Sequence, residues 1–405
     1  MTNAATPTSS ASVAAASVSA SAWRAGLGAS RRIVVKIGSA VLCSDAFTAR
    51  DSVFALHAAA ISALLDGGRQ VVLVSSGAVA LGRGEVDQLP NDPAPRLAKQ
   101  ALAAIGQPLL MSRWRTHFAA HGRNVAQLLL THGDLGDRGR FLHARRVASE
   151  LLDQGVVAIV NENDTIAVEE LRFGDNDALA AQVGNAVGAD LVVLLTEVDG
   201  LFTADPRRDA SARRIGALSA DDPVALAYTA GDQQSLLGTG GMRSKVLSAS
   251  TAARVGIPTV VAHGSREGVL ARVLAGADEG TLFVPGGGRL SARRKWIAAS
   301  VRTRGTLHVD DGAREALLVG GRSLLPVGVV AVEGRFDVGD AVRIVGPDGA
   351  LLGRGLCRYA SEDARAALGL RREAIGARLG WLPARELVHR DDFLPAHRHR
   401  EAGQV

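Results

Sequence analysis

Residues 238–245 read GTGGMRSK, a glycine-rich run that closes on Arg243, Ser244 and Lys245. The common P-loop pattern G-x-x-x-x-G-K-[ST] sets the lysine after a glycine and the hydroxyl after the lysine. Here Ser244 precedes Lys245, so that pattern is not met. Glycines in front of a helix nevertheless let backbone N–H groups approach an anion closely. Of the 46 Lys and Arg residues only four are lysines: Lys36, Lys99, Lys245 and Lys295. Arginine serves wherever a generic positive charge suffices, so a lysine stands out as chosen for its compact ammonium. Lys36 closes a second candidate anion site, the apolar run RRIVVKIG followed by Ser39.

Other polar clusters suit a small polar acceptor. VSSGAVALG places Ser75, Ser76 and Gly77 at a strand–helix junction, where free N–H groups and the helix dipole favour a carboxylate or phosphate. It is no nucleophile elbow, because G-x-S-x-G is absent. The stretch NENDTI offers Asn161, Glu162, Asn163 and Asp164, a set too costly to bury unpaired and able to recognise the ammonium and carboxylate of an amino acid. In RFGDNDALAA, Asp175 and Asp177 flank Asn176 before an Ala-rich helix. Either aspartate could cap that helix, but one cap does not account for both. Two carboxylates beside a phosphoryl-transfer centre can orient lysines or hold metal-bound water.

The elements that must carry these clusters are legible as apolar runs: 31–38, 70–77, 124–134, 155–164, 189–200 and 257–264. They are rich in Val, Ile and Leu without polar alternation, as in a parallel sheet covered on both faces. Amphipathic segments such as SVFALHAAAISALLDGG separate them. The expected fold is therefore α/β, an open, mostly parallel sheet sandwiched by helices. Each run stops at a polar cluster, so the clusters share the carboxyl edge of the sheet, where ligands of such sheets bind.

Composition bounds the rest. The 405 residues allow two domains, with 47% apolar and 21% charged residues and a net charge of +5. Two distant cysteines, Cys43 and Cys357, suggest neither a disulfide framework nor a zinc site and fit a reducing, cytoplasmic setting. No apolar run reaches about 18 residues, so no membrane span is expected. Residues 1–30 begin with an Ala/Ser-rich stretch lacking the basic start of a secretion signal, and read as a disordered tail. After residue 285 a Gly/Arg linker over 286–300 gives way to short strand-like pieces over 301–385, suggesting a small β-barrel or sandwich. Residues 386–405 read as a solvated C-terminal tail.

In this order, VVKIGSAVL, VSSGAVALG, VNENDTI, FGDND, LLTEVDGLFTADPR and GTGGMRSK resemble the amino acid kinase family, and within it the glutamate 5-kinase group. The resemblance implies ATP-dependent phosphorylation of the L-glutamate side-chain carboxylate, the first step of proline synthesis from glutamate, with Mg²⁺ on the phosphates. It puts the catalytic lysines at Lys36 and Lys245 and glutamate contacts at Ser76, Asp164 and Asn176. Nucleotide contacts fall on Lys36, Thr196 and Glu197, where many relatives carry aspartate. They continue through Thr239, Gly240, Gly241, Met242, Arg243, Ser244 and Lys245, Arg243 standing where many relatives carry a small hydroxyl residue. No metal ligand from the protein is implied. Feedback inhibition by L-proline and a homodimer or homotetramer are implied as well. The runner-up activities are those of acetylglutamate, aspartate or uridylate kinases, and a second class is an RNA-binding protein with a degenerate nucleotide sensor. The segment GRSLLPVGVVAVEGRFDVGDAVRIV with GRGLCRYAS resembles a PUA domain, a module that often binds RNA. Its balanced charge and few aromatic residues favour a structural or regulatory role instead.

Overall fold

The computed structural model describes residues 20–86, 99–167, 176–206, 209–220, 222, 224–225, 240–286, 292–299, 301, 303–380 and 384–396. The chain divides into two compact units, Met1–Arg289 and Leu290–Val405.

The first unit is built on β1 (Arg32–Ile37), α1 (Asp51–Asp66), β2 (Gln70–Ser75), α2 (Ala78–Val86), α3 (Lys99–Ala119), β3 (Val125–Leu130), α4 (Arg138–Asp153), β4 (Val157–Glu162), α5 (Asn176–Val187), β5 (Leu191–Thr196), β6 (Ala217–Ser219), α6 (Gly240–Arg254), β7 (Thr259–His263) and β8 (Thr281–Val284). Its eight strands run in the order β3-β4-β2-β1-β5-β7-β8-β6. All six predicted runs are strands, and β1 pairs parallel with β2 on one side and β5 on the other. Only β8 turns antiparallel, against β7. β6 and β8 have three and four residues, too short to leave a pattern in the sequence. Because the chain winds from β1 outward in one direction and then resumes at β5 in the other, β1 marks a switch point. A crevice opens there at the carboxyl ends of the strands.

The packing that fixes this edge starts from large side chains. Trp114 on α3 is fully buried, with Phe54 at 4.6 Å and Phe118 at 5.7 Å between ring centroids. Its indole N–H donates to Ser75 Oγ at 2.8 Å, satisfying a buried polar group and holding the end of β2. α2 and α3 cross so closely that a Cβ on Gly82 would lie 1.9 Å from the Leu102 carbonyl oxygen, and one on Gly106 1.7 Å from that of Ala78. Only glycine fits either position, and the crossing sets α2 directly behind the SSGA turn.

His57 of α1 is buried, and its ring Nε2–H donates to the Gly264 carbonyl at 2.8 Å, just past β7. Burial lowers its pKa to about 4, against a smaller upward effect of that hydrogen bond. The unfolded chain takes up this proton near pH 6.5, so acid favours unfolding. The stability held in neutral His57 is complete above about pH 6.5 and is lost as the pH falls toward 4, at most about 3 kcal/mol. Urea unfolding between pH 4 and 7 should therefore show a shallower pH slope for His57→Gln than for the parent chain; equal slopes would exclude the assignment.

The N-terminal segment differs from expectation. Residues 20–26 are helical and Leu27 joins the core at 2% exposure. The Arg24 guanidinium donates to the carbonyls of Ala277 and Gly216 at 2.8 Å and of Glu279 and Gly280 at 3.1 Å. One planar fork thus satisfies four loop carbonyls, an anchor that Ala/Ser-rich composition around it conceals. The disordered reading of 1–30 is corrected from residue 20 onward; residues 1–19 lie outside the described set.

The second unit holds a five-stranded sheet in the order β10-β9-β11-β12-β13, formed by β9 (Thr303–Val309), β10 (Val329–Gly334), β11 (Ala341–Val345), β12 (Leu351–Cys357) and β13 (Val388–Pro395). Two further expectations are corrected here. The stretch read as a solvated tail contributes β13, paired with β12, and buries Leu387, Val388, Asp392 and Phe393. The polar HRDD between them masks the strand pattern, but Asp392 faces the Arg358 guanidinium at 3.6 Å. The linker carries a helix, Ala292–Ala299, that buries Trp296 and Ile297. The Arg354 guanidinium donates to the Ala298 carbonyl at its end at 2.5 Å.

Candidate active site

Lys36 sits at the carboxyl end of β1, opposite Val74 of β2 and Leu194 of β5, and is 2% exposed. A strand running between two parallel neighbours leaves its side chain nowhere to go but the crevice or the core. Its Nζ lies 2.5 Å from Asp177 Oδ1. Lys245, in the first turns of α6, lies 2.8 Å from Asp177 Oδ2. The two ammonium groups, contributed by opposite ends of the unit's sequence, therefore meet on one carboxylate with 0% exposure. Burial would by itself push the Asp177 carboxyl up; the charge of Lys36, then that of Lys245, outweighs it and holds the pKa at about 2. Asp177 is thus the aspartate that orients lysines, while Asp175 lies outside the described residues.

Asn176 precedes Asp177 and faces the other way, into a cavity of about 340 Å³. Its Nδ2 donates to Ser76 Oγ at 2.8 Å and to Asn161 Oδ1 at 2.9 Å. Two acceptors for one NH₂ group fix the amide orientation, and Asn176 Oδ1, buried beside them, has no donor among the described residues. Asn161 in turn donates from Nδ2 to Gln107 Oε1 at 2.8 Å. Asp164 lies on the same cavity, its pKa raised by burial against the pull of Lys99. Arg83 and Lys99 add positive charge to the wall, and Glu162 and Asp164 negative charge. A cavity with both signs and hydroxyl and amide groups between them matches a zwitterionic acceptor that carries an extra carboxylate.

The structure thus brings Ser76, Asp164 and Asn176 together, and Lys36 with Lys245. Thr196 ends β5 in register with His263, and its carbonyl accepts from Gly264 N at 2.7 Å. Gly38 N donates to Leu195 O at 3.1 Å, so the ends of β1 and β5 adjoin. Glu197 is exposed beyond that end. Gly241 and Arg243 are exposed at the start of α6, with Met242 and Ser244 half-buried beside them; Gly240 begins the helix, and Thr239 lies outside the described residues. Sequence reasoning missed Phe47, Arg83 and Gln107. Arg83 and Gln107 sit at ordinary helical positions and Phe47 in a loop, with no spacing that marks any of them.

Among the described residues no group of three or more His, Cys, Asp or Glu side chains could cage a metal ion, and no helix is long and apolar enough to cross a membrane. The model of the amino acid kinase family matches residues 31–263, and that of the PUA domain residues 305–376. The chain is 47% identical over 364 residues to a glutamate 5-kinase of Ectopseudomonas mendocina, covering 90% of this chain and 97% of that protein. It is 46% identical to a glutamate 5-kinase of Pseudomonas savastanoi pv. phaseolicola, covering 90% and 98%. Among solved structures, a UMP kinase from Bacillus anthracis aligns with a TM-score of 0.45 at 18% identity, over 64% of this chain and 97% of its own.

Proposed function

We infer that this chain, which belongs to the amino acid kinase family and within it to the glutamate 5-kinases, transfers the γ-phosphoryl group of ATP to the side-chain carboxylate of L-glutamate. One carboxylate oxygen forms the new bond to phosphorus, the bond from phosphorus to the β–γ bridging oxygen breaks, and L-glutamyl 5-phosphate and ADP leave. The product is the activated acid that begins proline synthesis.

The observation that carries this reading is the pair Asn176–Asp177: one residue faces the acceptor cavity and the next holds both lysines. Phosphoryl transfer asks for in-line positioning and for charge neutralised on the transferring oxygens rather than for covalent help from the protein. Lys36 and Lys245 supply that charge at a place Asp177 sets before any ligand arrives. At an effective dielectric near 20, one ammonium about 4 Å from a phosphoryl charge is worth about 4 kcal/mol before desolvation. Ser76, Asp164 and Asn176 orient the acceptor, and the backbone after β5 with Thr239 and the start of α6, residues 240–245, accommodates the nucleotide.

Mg²⁺ fits this arrangement as an ion carried by the nucleotide. Both oxygens of Asp177 are committed to lysines, so phosphate oxygens and water would be its ligands. When bound, it neutralises part of the polyphosphate charge. A kinase unit over 31–285 with a PUA-like module that runs from residue 301 through β13, a dimer or tetramer, inhibition by L-proline and a cytoplasmic location belong to the same proposal and rest on the family likeness. For the PUA-like module a structural or regulatory role is favoured over RNA binding.

ATP turnover with L-glutamate, N-acetylglutamate, aspartate and UMP tests the acceptor directly. L-Glutamate should exceed the other three by at least tenfold in kcat/KM, with added L-proline lowering its rate. Equal rates with all four would remove the substrate assignment.

A further inference from the structure

Phe47 is the only non-glycine among the described residues with a positive φ, 58°. A bulky side chain takes the left-handed region at a cost, and such outliers persist only where surrounding contacts over-determine them. Those contacts are present. Ser44 N donates to Thr48 O at 2.9 Å, Phe47 N to Ser44 O at 3.0 Å, and the hydroxyls of Ser44 and Thr48 lie 2.7 Å apart. Cys43 and Ala49 form an antiparallel bridge that closes the loop. The loop rests on Gly84 of α2, where a Cβ would come within 2.5 Å of the Phe47 carbonyl oxygen. All this holds an aromatic ring on the wall of the acceptor cavity, with the Arg83 guanidinium 4.8 Å from its centroid. Arg83 lines the same cavity.

We propose that Phe47 and Arg83 form the specificity-determining wall of the acceptor site, the ring holding the guanidinium where it takes the α-carboxylate of the amino acid; this rests on the glutamate reading above. The carboxylate that is phosphorylated has to lie toward Asn176 and Asp177, since the lysines are there. The second carboxylate of the acceptor then needs its own partner, and a guanidinium receives a carboxylate by two parallel N–H bonds where an ammonium offers only a point charge. An aromatic face under the guanidinium restricts its rotamers and thins its water, so less is lost on binding. The same ring walls the methylene stem of the substrate.

The test compares the full-length chain with Phe47→Gly, Arg83→Gln and Arg83→Lys, using L-glutamate and 4-aminobutyrate, which is glutamate without its α-carboxylate. Glycine accepts the left-handed backbone, so Phe47→Gly removes the ring without straining the loop. Expected are a rise of about tenfold in KM for L-glutamate in Phe47→Gly and Arg83→Gln, kcat within about threefold and an unchanged KM for ATP. The preference for L-glutamate over 4-aminobutyrate should shrink by a similar factor, and Arg83→Lys should recover part of it. The proposal is overturned if both variants keep KM for L-glutamate and the acceptor preference within twofold. It is equally overturned if Phe47→Gly lowers Tm and raises both KM values together, the mark of a structural role. An unmutated chain that does not turn over L-glutamate removes the reading on which the wall depends, and so is told apart from either result.

Discussion

Replacing Lys245 by alanine is expected to lower kcat by roughly 10²–10³, the loss typical of one preorganised donor at a transition state. Lys245 stands in the first turns of α6, 2.8 Å from Asp177 Oδ2, and its side chain is 13% exposed. The group is therefore largely withdrawn from water and aimed before substrate binds, so little reorganisation remains for the reaction step. Its role is stabilisation of charge that develops during transfer, so the effect belongs in kcat, with KM for L-glutamate moving little. Lys245→Arg should not restore the rate: a guanidinium keeps the charge but is too broad to share one carboxylate oxygen and still reach a phosphate in the same geometry. Lys36→Ala should match Lys245→Ala. Steady-state kinetics with ATP and L-glutamate decide it, and turnover near normal in either alanine variant would leave the proposed chemistry without its charge.

The second large effect falls on Asp177. Asp177→Ala leaves the Lys36 ammonium, whose side chain is 3% exposed, and that of Lys245 without their shared anion. Breaking a buried ion pair from one side costs about 3–5 kcal/mol, since the stranded charge remains unsolvated. Two stranded charges also repel one another, which drives the lysines apart. We expect a lower urea midpoint together with a kcat loss at least as large as that of either lysine variant. Asp177→Asn should fold better than Asp177→Ala, because the amide keeps the shape and one acceptor oxygen, while its kcat should remain low. The acid response follows from the same contacts. A carboxyl held at about 2 in the folded chain and near 3.9 unfolded contributes stability that is complete above about pH 4. That contribution disappears as the pH falls through 2. A parent chain and an Asp177→Asn variant with identical acid unfolding would contradict the double ion pair.

The sequence alone determined the architecture of the first unit and the roster of its polar clusters. Long runs such as QVVLVS and LVVLLT have only one way to bury both faces, and a parallel sheet sends every cluster after such a run to the same edge. The lysines were legible for a compositional reason, as rare ammonium groups in an arginine-rich chain. What periodicity could not carry was any contact between distant segments. FGDND offers two aspartates on equal terms, and it is the approach of β1 and α6 to α5 that selects Asp177 as the bridge. Phe47 and Arg83 face one cavity because a loop is locked in the left-handed region above Gly84, an arrangement with no one-dimensional signature. Arg24 and β13 were misread for the converse reason: Ala/Ser and His/Arg/Asp composition describes solvated chain until a carbonyl cluster or a neighbouring strand gives the backbone a partner. Local pattern reports which face of a segment avoids water, and tertiary structure alone decides which buried charges and hydrogen-bonding groups are matched to each other.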